Sequence, residues 1–336
     1  MRQETPPSPD TEAQIAGFVT DEAGLQDAVR QLLVGQEDAL HDLVTVLLAG
    51  GHALVEGVPG TGKTMLVRSV ARAAGLDFQR VQFTPDLLPA DVIGCDTLVD
   101  GAGAEPRIEF RPGPVFTQFL LADEINRGTP RTQSALLEAM QERAVTIGGT
   151  RHALDALFTT FATRNPIEME GTYPLPEAQL DRFLLQVDVA PASVSEMVAI
   201  SERTTGEAEP EVPVVVDAQR LVEMRWQVRQ VIAADNVVRY AAQLVSATQP
   251  KSPDAPTIVR ECVRYGAGVR ALQSLVLCAK VEALRAGRLH IANSDIERHL
   301  RPALAHRVSL TLDGEARGIA VAEIADGVRQ QIRSGA

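Results

Sequence analysis

The sequence predicts an α/β fold, a doubly wound parallel sheet followed by a smaller all-helical domain, and three observations carry that expectation. Apolar runs of strand length alternate with helix-period segments through about residue 190. A glycine-rich turn, Gly57-Val58-Pro59-Gly60-Thr61-Gly62-Lys63-Thr64, stands between a short strand and a helix. Beyond a Thr/Gly/Glu/Pro stretch at 203–214, the texture turns almost entirely helical.

In chain order, residues 1–14 are rich in proline and acids and read as a disordered tail. A helical pattern is expected from about Asp21, and a second opens at Gln36 with Ala39, Leu40, Leu43, Val44 and Leu47 on one face. His52 to Glu56 reads as a strand, and Lys63 to Ala74 as the helix that Gly75 stops. Phe116–Ala122 and Leu157–Thr163 have the size of buried parallel strands. Two hairpins are expected as inserts. One spans about 95–110 around Asp100-Gly101-Ala102-Gly103, and the other spans 145–154 around the pair Gly148-Gly149. Residues 15–202 thus form the α/β domain, 203–214 a linker and 215–336 the helical domain. Its helices are expected at about 217–234, 237–247, 268–286 and 294–305, the last opening on a capping box, Ser294-Asp295-Ile296-Glu297.

A chain of 336 residues suggests two cores. Its 45% hydrophobic and 23% charged residues are those of a soluble globular protein. A formal charge of −12 disfavours a broad nucleic-acid footprint. Cys95, Cys262 and Cys278 are widely spaced among apolar neighbours and read as reduced packing residues. No apolar run is long enough to cross a bilayer, so the expectation is a cytoplasmic protein without membrane insertion.

The glycine turn fits G-x-x-x-x-G-K-[ST], a loop whose backbone N–H groups cradle phosphate. Lysine is otherwise rare: Lys63, Lys251 and Lys280 are the three lysines, leaving 29 of the 32 basic residues as arginine. A compact ammonium at Lys63 can reach the outer phosphates, and the Thr64 hydroxyl can ligate Mg²⁺. Leu120-Leu121-Ala122-Asp123-Glu124 then ends an apolar strand in two carboxylates. Asp123 can hold Mg²⁺ with Thr64, and Glu124 can deprotonate an attacking water. Asn165, at the end of another apolar strand, could hydrogen-bond that water without titrating, although Asn-Pro equally opens a turn. Arg182 and Arg270 could each reach a γ-phosphate, Arg182 that of a neighbouring subunit. From spacing alone, a solvated surface arginine is the simpler reading of both.

Taken together these residues resemble an AAA+ ATPase, and closely the MoxR family. The resemblance lies in Gly35-Gln36-Glu37, the glycine loop and long blocks at 81–94, 110–116, 120–146, 162–183 and 287–297. It implies an AAA+ P-loop fold in which Gly57, Pro59, Gly60, Thr61, Gly62, Lys63 and Thr64 bind ATP as Walker A. Asp123 and Glu124 would be Walker B, with Thr64 and Asp123 on Mg²⁺. Asn165 would be sensor 1, Arg182 the arginine finger acting in trans, and Arg270 sensor 2. The hairpin at 95–110 matches the helix-2 insert, and that at 145–154 the pre-sensor-1 hairpin. Two departures stand out: Arg164 replaces the usual Gln before the sensor asparagine, and Gly268-Val269 replaces Ser-Pro before Arg270. The resemblance further implies a homo-oligomeric, hexameric ring that remodels a protein client, with a von Willebrand factor A-domain partner. A metal-chelatase motor shares the same site, and a non-hydrolysing ATP-gated switch would not need Glu124. A DNA translocase is disfavoured, because only Arg107, Arg111 and Arg151 stand out in the hairpins.

Overall fold

A computed structural model describes residues 9–99, 106–166, 172–204 and 211–334. Two long helices open the chain, α1 (Pro9–Arg30) and α2 (Glu37–Ala49), followed by β1 (Ala53–Glu56), α3 (Lys63–Ala73) and β2 (Phe78–Gln82). Next come α4 (Pro89–Ile93), a hairpin of β3 (Gly94–Val99) and β4 (Arg107–Pro112), β5 (Phe119–Asp123) and α5 (Pro130–Glu142). A second hairpin, β6 (Ala144–Ile147) and β7 (Thr150–Ala153), leads to β8 (Thr159–Arg164), α6 (Glu177–Leu180), β9 (Leu185–Asp188) and α7 (Val194–Thr204).

Five strands form one parallel sheet in the order β2-β5-β8-β1-β9. Alternation along its central strands sends successive residues to opposite faces, each packed into its own core. Ala53, Val55, Phe119, Leu121, Phe161 and Val187 face one core with α1, α2 and α3. Leu54, Leu120, Ala122 and Ala162 face another with α5 residues Leu136, Leu137 and Met140. Burial on both faces is why these strands read as unbroken apolar runs.

The C-terminal part contains α8 (Ala218–Gln230), α9 (Asp235–Ala247), α10 (Thr257–Cys262), β10 (Val263–Tyr265) and α11 (Val269–Arg285). It ends with α12 (Asn293–Arg298), α13 (Leu300–Leu304), β11 (Ser309–Leu310), α14 (Leu312–Ala316) and α15 (Val321–Ser334). α11 packs on α1 and α2, and α13 packs on β9, so this unit extends the first core.

Several expectations need correction. α1 begins at Pro9 rather than near Asp21, so residues 9–14 of the expected tail are helical and residues 1–8 lie outside the described ones. The buried Phe18, Leu25 and Val29 give this acidic segment an apolar anchor. β2 and β9 are strands the motif reading passed over. The expected helix at 294–305 is broken at His299 into α12 and α13. Its cap is not Ser294: the Asp295 carboxylate accepts the Ala292 N–H at 2.8 Å while held in a fork by Arg288. The helical unit also carries a small antiparallel pair, β10 with β11. Half of the 203–214 linker, residues 205–210, lies outside the described residues.

Both hairpins form as expected, except that loop residues 100–105 are undescribed. They touch each other. Phe110 of β4 stacks on His152 of β7 with ring centroids 3.9 Å apart, and Phe116 meets both edge-on.

Candidate nucleotide site

β1 delivers the chain into the glycine loop, and α3 takes it away. Gly60 and Gly62 have φ of 83° and 80°, conformations that L side chains rarely adopt, and a Cβ at either would face open space. Lys63 folds back over the loop, its Nζ donating to the carbonyls of Gly57 (2.6 Å) and Val58 (2.8 Å). Burial lowers its pKa, with Asp123, Glu124 and Glu56 acting in the opposite direction. The Gln36 amide donates to Thr61 O at 2.7 Å, tying the residue before α2 to the loop.

Sheet order brings the carboxylates to the same place. β5 lies one strand from β1 across β8, so Asp123 ends its strand beside the loop, at the carboxyl edge where α/β sheets bind ligands. Thr64 Oγ1 approaches Asp123 Oδ2 at 3.3 Å. The other oxygen, Oδ1, accepts from Thr163 Oγ1 at 2.6 Å. Glu124 has a left-handed backbone at φ 54°, uncommon for a residue with a Cβ, and its N–H donates to the same Thr163 hydroxyl at 2.8 Å. This turn takes the Glu124 side chain out of the sheet. Its Oε2 accepts from Gln82 Nε2 (2.8 Å) and Arg127 Nη1 (3.0 Å).

The donor set suits a phosphate and a hard cation. The first turn of α3 leaves N–H groups free of intrahelical partners. Thr64 and Asp123 bring two oxygen donors together, as Mg²⁺ requires. Asn165 directly follows β8 and lines a cavity with Glu56, Asn126 and Pro174. The unexpected cation beside it, Arg164, is neutralised by Glu56 on the neighbouring strand at 2.6 Å.

Arg182 and Arg270 stand elsewhere. Residue Ala53 of β1 pairs with Leu185 of β9, and Glu56 with Asp188. The glycine loop leaves the far end of β1, whereas Arg182 precedes β9 at the near end. The two ends are separated by about 10 Å of strand, three rises of roughly 3.3 Å between Ala53 and Glu56. There Arg182 lines a cavity with Asp181, Arg270, Arg307, His52 and Met140. Its Nε is buried without a hydrogen-bond partner. Asp181 accepts from the buried Arg307 at 2.8 Å and stands 3.7 Å from Arg270. Arg182 and Arg270 therefore line one cavity, at the opposite edge of the sheet from the glycine loop of the same chain.

Sequence reasoning missed Arg80, Gln82, Thr163 and Asp181. Arg80 and Gln82 are alternate residues of β2 and share the face turned to Asp123 and Glu124; their signal is the i, i+2 spacing in Phe78-Gln79-Arg80-Val81-Gln82.

Comparison with known proteins agrees with this architecture. The family described as "ATPase family associated with various cellular activities (AAA)" matches residues 52–185, and an AAA lid domain matches 255–326. The Chaperone MoxR1 of Mycobacterium tuberculosis is 39% identical over 90% of this chain and 80% of its own length. The Protein MoxR of Methylorubrum extorquens is 32% identical over 86% and 87%. A solved structure of a candidate ATPase from Cytophaga hutchinsonii superposes with a TM-score of 0.88 at 35% identity, covering 96% of this chain and 97% of that one. An AAA domain on a five-stranded parallel sheet, an AAA lid and relatives matched over most of their length together establish that this chain belongs to the MoxR family of AAA+ ATPases.

Proposed function

We propose that the chain hydrolyses ATP at an interface between copies of itself and uses the cycle to remodel a client protein. The observation that carries this reading is the convergence of Lys63, Thr64, Asp123 and Glu124 at one edge of the sheet, with Arg182 and Arg270 at the other. Backbone N–H groups of residues 60–64 and the Lys63 ammonium bind the phosphates. Thr64 and Asp123 would hold Mg²⁺, which when bound supplies positive charge against the phosphate oxygens. Glu124 accepts the proton of the attacking water, oriented by Asn165. Arg182 and Arg270 act together on the phosphate of the neighbouring subunit, because neither can serve its own loop from the opposite edge.

A closed ring, expected to be hexameric, satisfies every such interface at once. A chaperone name among the relatives supports a protein client. A von Willebrand factor A-domain protein as a further partner rests on resemblance, as does the cytoplasmic setting. No helix among the described residues is long and apolar enough to cross a membrane.

The test is Glu124→Gln. Nucleotide affinity should be retained while phosphate release falls about 10²–10⁴-fold, the range expected for losing a general base. Turnover at the wild-type rate would remove Glu124 as the base.

A further inference from the structure

Asp123 already has a positively charged partner. Arg80, in the middle of β2, donates from Nε (3.0 Å) and Nη2 (2.6 Å) to Asp123 Oδ2. This is the same oxygen that Thr64 approaches. An arginine fork normally spreads over both carboxylate oxygens, but Oδ1 is taken by Thr163, so both donors crowd onto one atom. Burial is unequal: the Asp123 side chain is 8% exposed and that of Arg80 49%.

Those facts assign different energetics to the partners. A buried carboxylate without a counter-charge is costly, so Asp123 needs a cation at all times. A half-exposed guanidinium on a flexible arm gives up such a pair cheaply, since exposed ion pairs are weak. The site thus has a firmly held anion and a readily released cation.

We propose that Arg80 is a resident counter-cation that shares Asp123 Oδ2 with Mg²⁺ and sets how much Mg²⁺ the nucleotide site demands. The inference rests on reading Thr64 and Asp123 as the ligands of that cation. Arg80 compensates Asp123 before the metal arrives and opposes it by like-charge repulsion once it is there. It also leaves a positive charge near the phosphates when Mg²⁺ is scarce. Wild-type nucleotide affinity is therefore buffered against the Mg²⁺ concentration.

The experiment is a Mg²⁺ titration of fluorescent mant-ADP bound to wild type, Arg80→Gln and Arg80→Lys, with Mn²⁺ and electron paramagnetic resonance as a second readout. ADP avoids turnover. The Mg²⁺ midpoint of Arg80→Gln should fall about tenfold, with Arg80→Lys in between, as expected for removing a nearby like charge. In chelator, mant-ADP affinity of Arg80→Gln should weaken severalfold. An unchanged midpoint overturns the proposal. A raised midpoint also overturns it, because an Arg80 that merely braces Asp123 would give that result. Failure of wild type to bind mant-ADP at any Mg²⁺ concentration would instead remove the nucleotide reading on which the proposal stands.

Discussion

The two edges of the central sheet are furnished in opposite ways. At the carboxyl edge, four arginines are matched by carboxylates, Arg80 with Asp123, Arg127 with Glu124, Arg164 with Glu56 and Arg301 with Asp188, while Lys63 rests on the carbonyls of its own loop. At the amino edge, arginines lean on backbone carbonyls. Arg143 donates to Gly50 O and Ala156 O, and Arg225 to Leu47 O and Leu157 O. Burial, and then repulsion from Arg143, pushes the Arg225 pKa down to about 9. Arg182, Arg270 and Arg307 share Asp181 as their nearby acid. An edge whose arginines are paired leaves Lys63 and the loop N–H groups to meet the phosphates. An edge with underpaired arginines gains by meeting an anion, and the phosphates of an adjacent copy would supply one.

The largest effect that could break this contrast belongs to Arg182→Ala. Losing a trans arginine should reduce turnover about 10³-fold or more while nucleotide affinity persists, as separate rate and binding measurements would reveal. If affinity drops instead, the arginine serves its own subunit. Mixing this variant with Glu124→Gln sharpens the point further. Each retains the edge that the other lacks, so mixed rings should regain a measurable share of activity that neither homogeneous protein has. Arg270→Ala comes next, with about a tenfold loss of turnover, the scale of one half-exposed charge-assisted contact. A loss of nucleotide affinity for this variant would return Arg270 to its own loop.

The smallest effect concerns His299, where the helical unit meets the core. Its ring is fully buried, with Nε2 2.8 Å from Glu282 of α11 and Nδ1 3.3 Å from Asp42 of α2. His41 and Arg285 meet the same Glu282 carboxylate. Burial pulls the His299 pKa down, but the carboxylates of Asp42 and Glu282 facing its two ring nitrogens outweigh it, and the net shift is upward. A raised folded-state value means the stabilisation is complete below the unfolded value near 6.5 and is lost as pH rises through the folded one. Thermal stability should decline above about pH 6.5 in wild type, and His299→Gln should flatten that part of the profile. An identical slope in both would exclude the imidazolium.

The carboxyl edge was largely legible because its groups are adjacent in the chain. Gly57 to Thr64 and Asp123-Glu124 are local patterns whose meaning survives without a partner. Arg80 and Gln82 were not, since their role depends on β2 pairing with β5 so that Gln82 lies opposite Asp123. The grouping of Arg182 with Arg270 likewise depends on strand order, and spacing alone had no access to it. The helix break at His299, by contrast, has a local signal that the helical pattern passed over: Pro302 has no N–H to bond the Arg298 carbonyl four residues back, and its ring crowds that carbonyl.

The face-to-face contact of Phe110 with His152 bears on mechanics. Each hairpin by itself is a two-stranded ribbon, which bends easily. Joined through an aromatic face, the ribbons resist bending as a laminated beam does, and a load on one tip is divided between two roots. One root leaves α4 and the other comes directly after α5, two helices packed on each other, so the joined ribbons stand on a single shared footing.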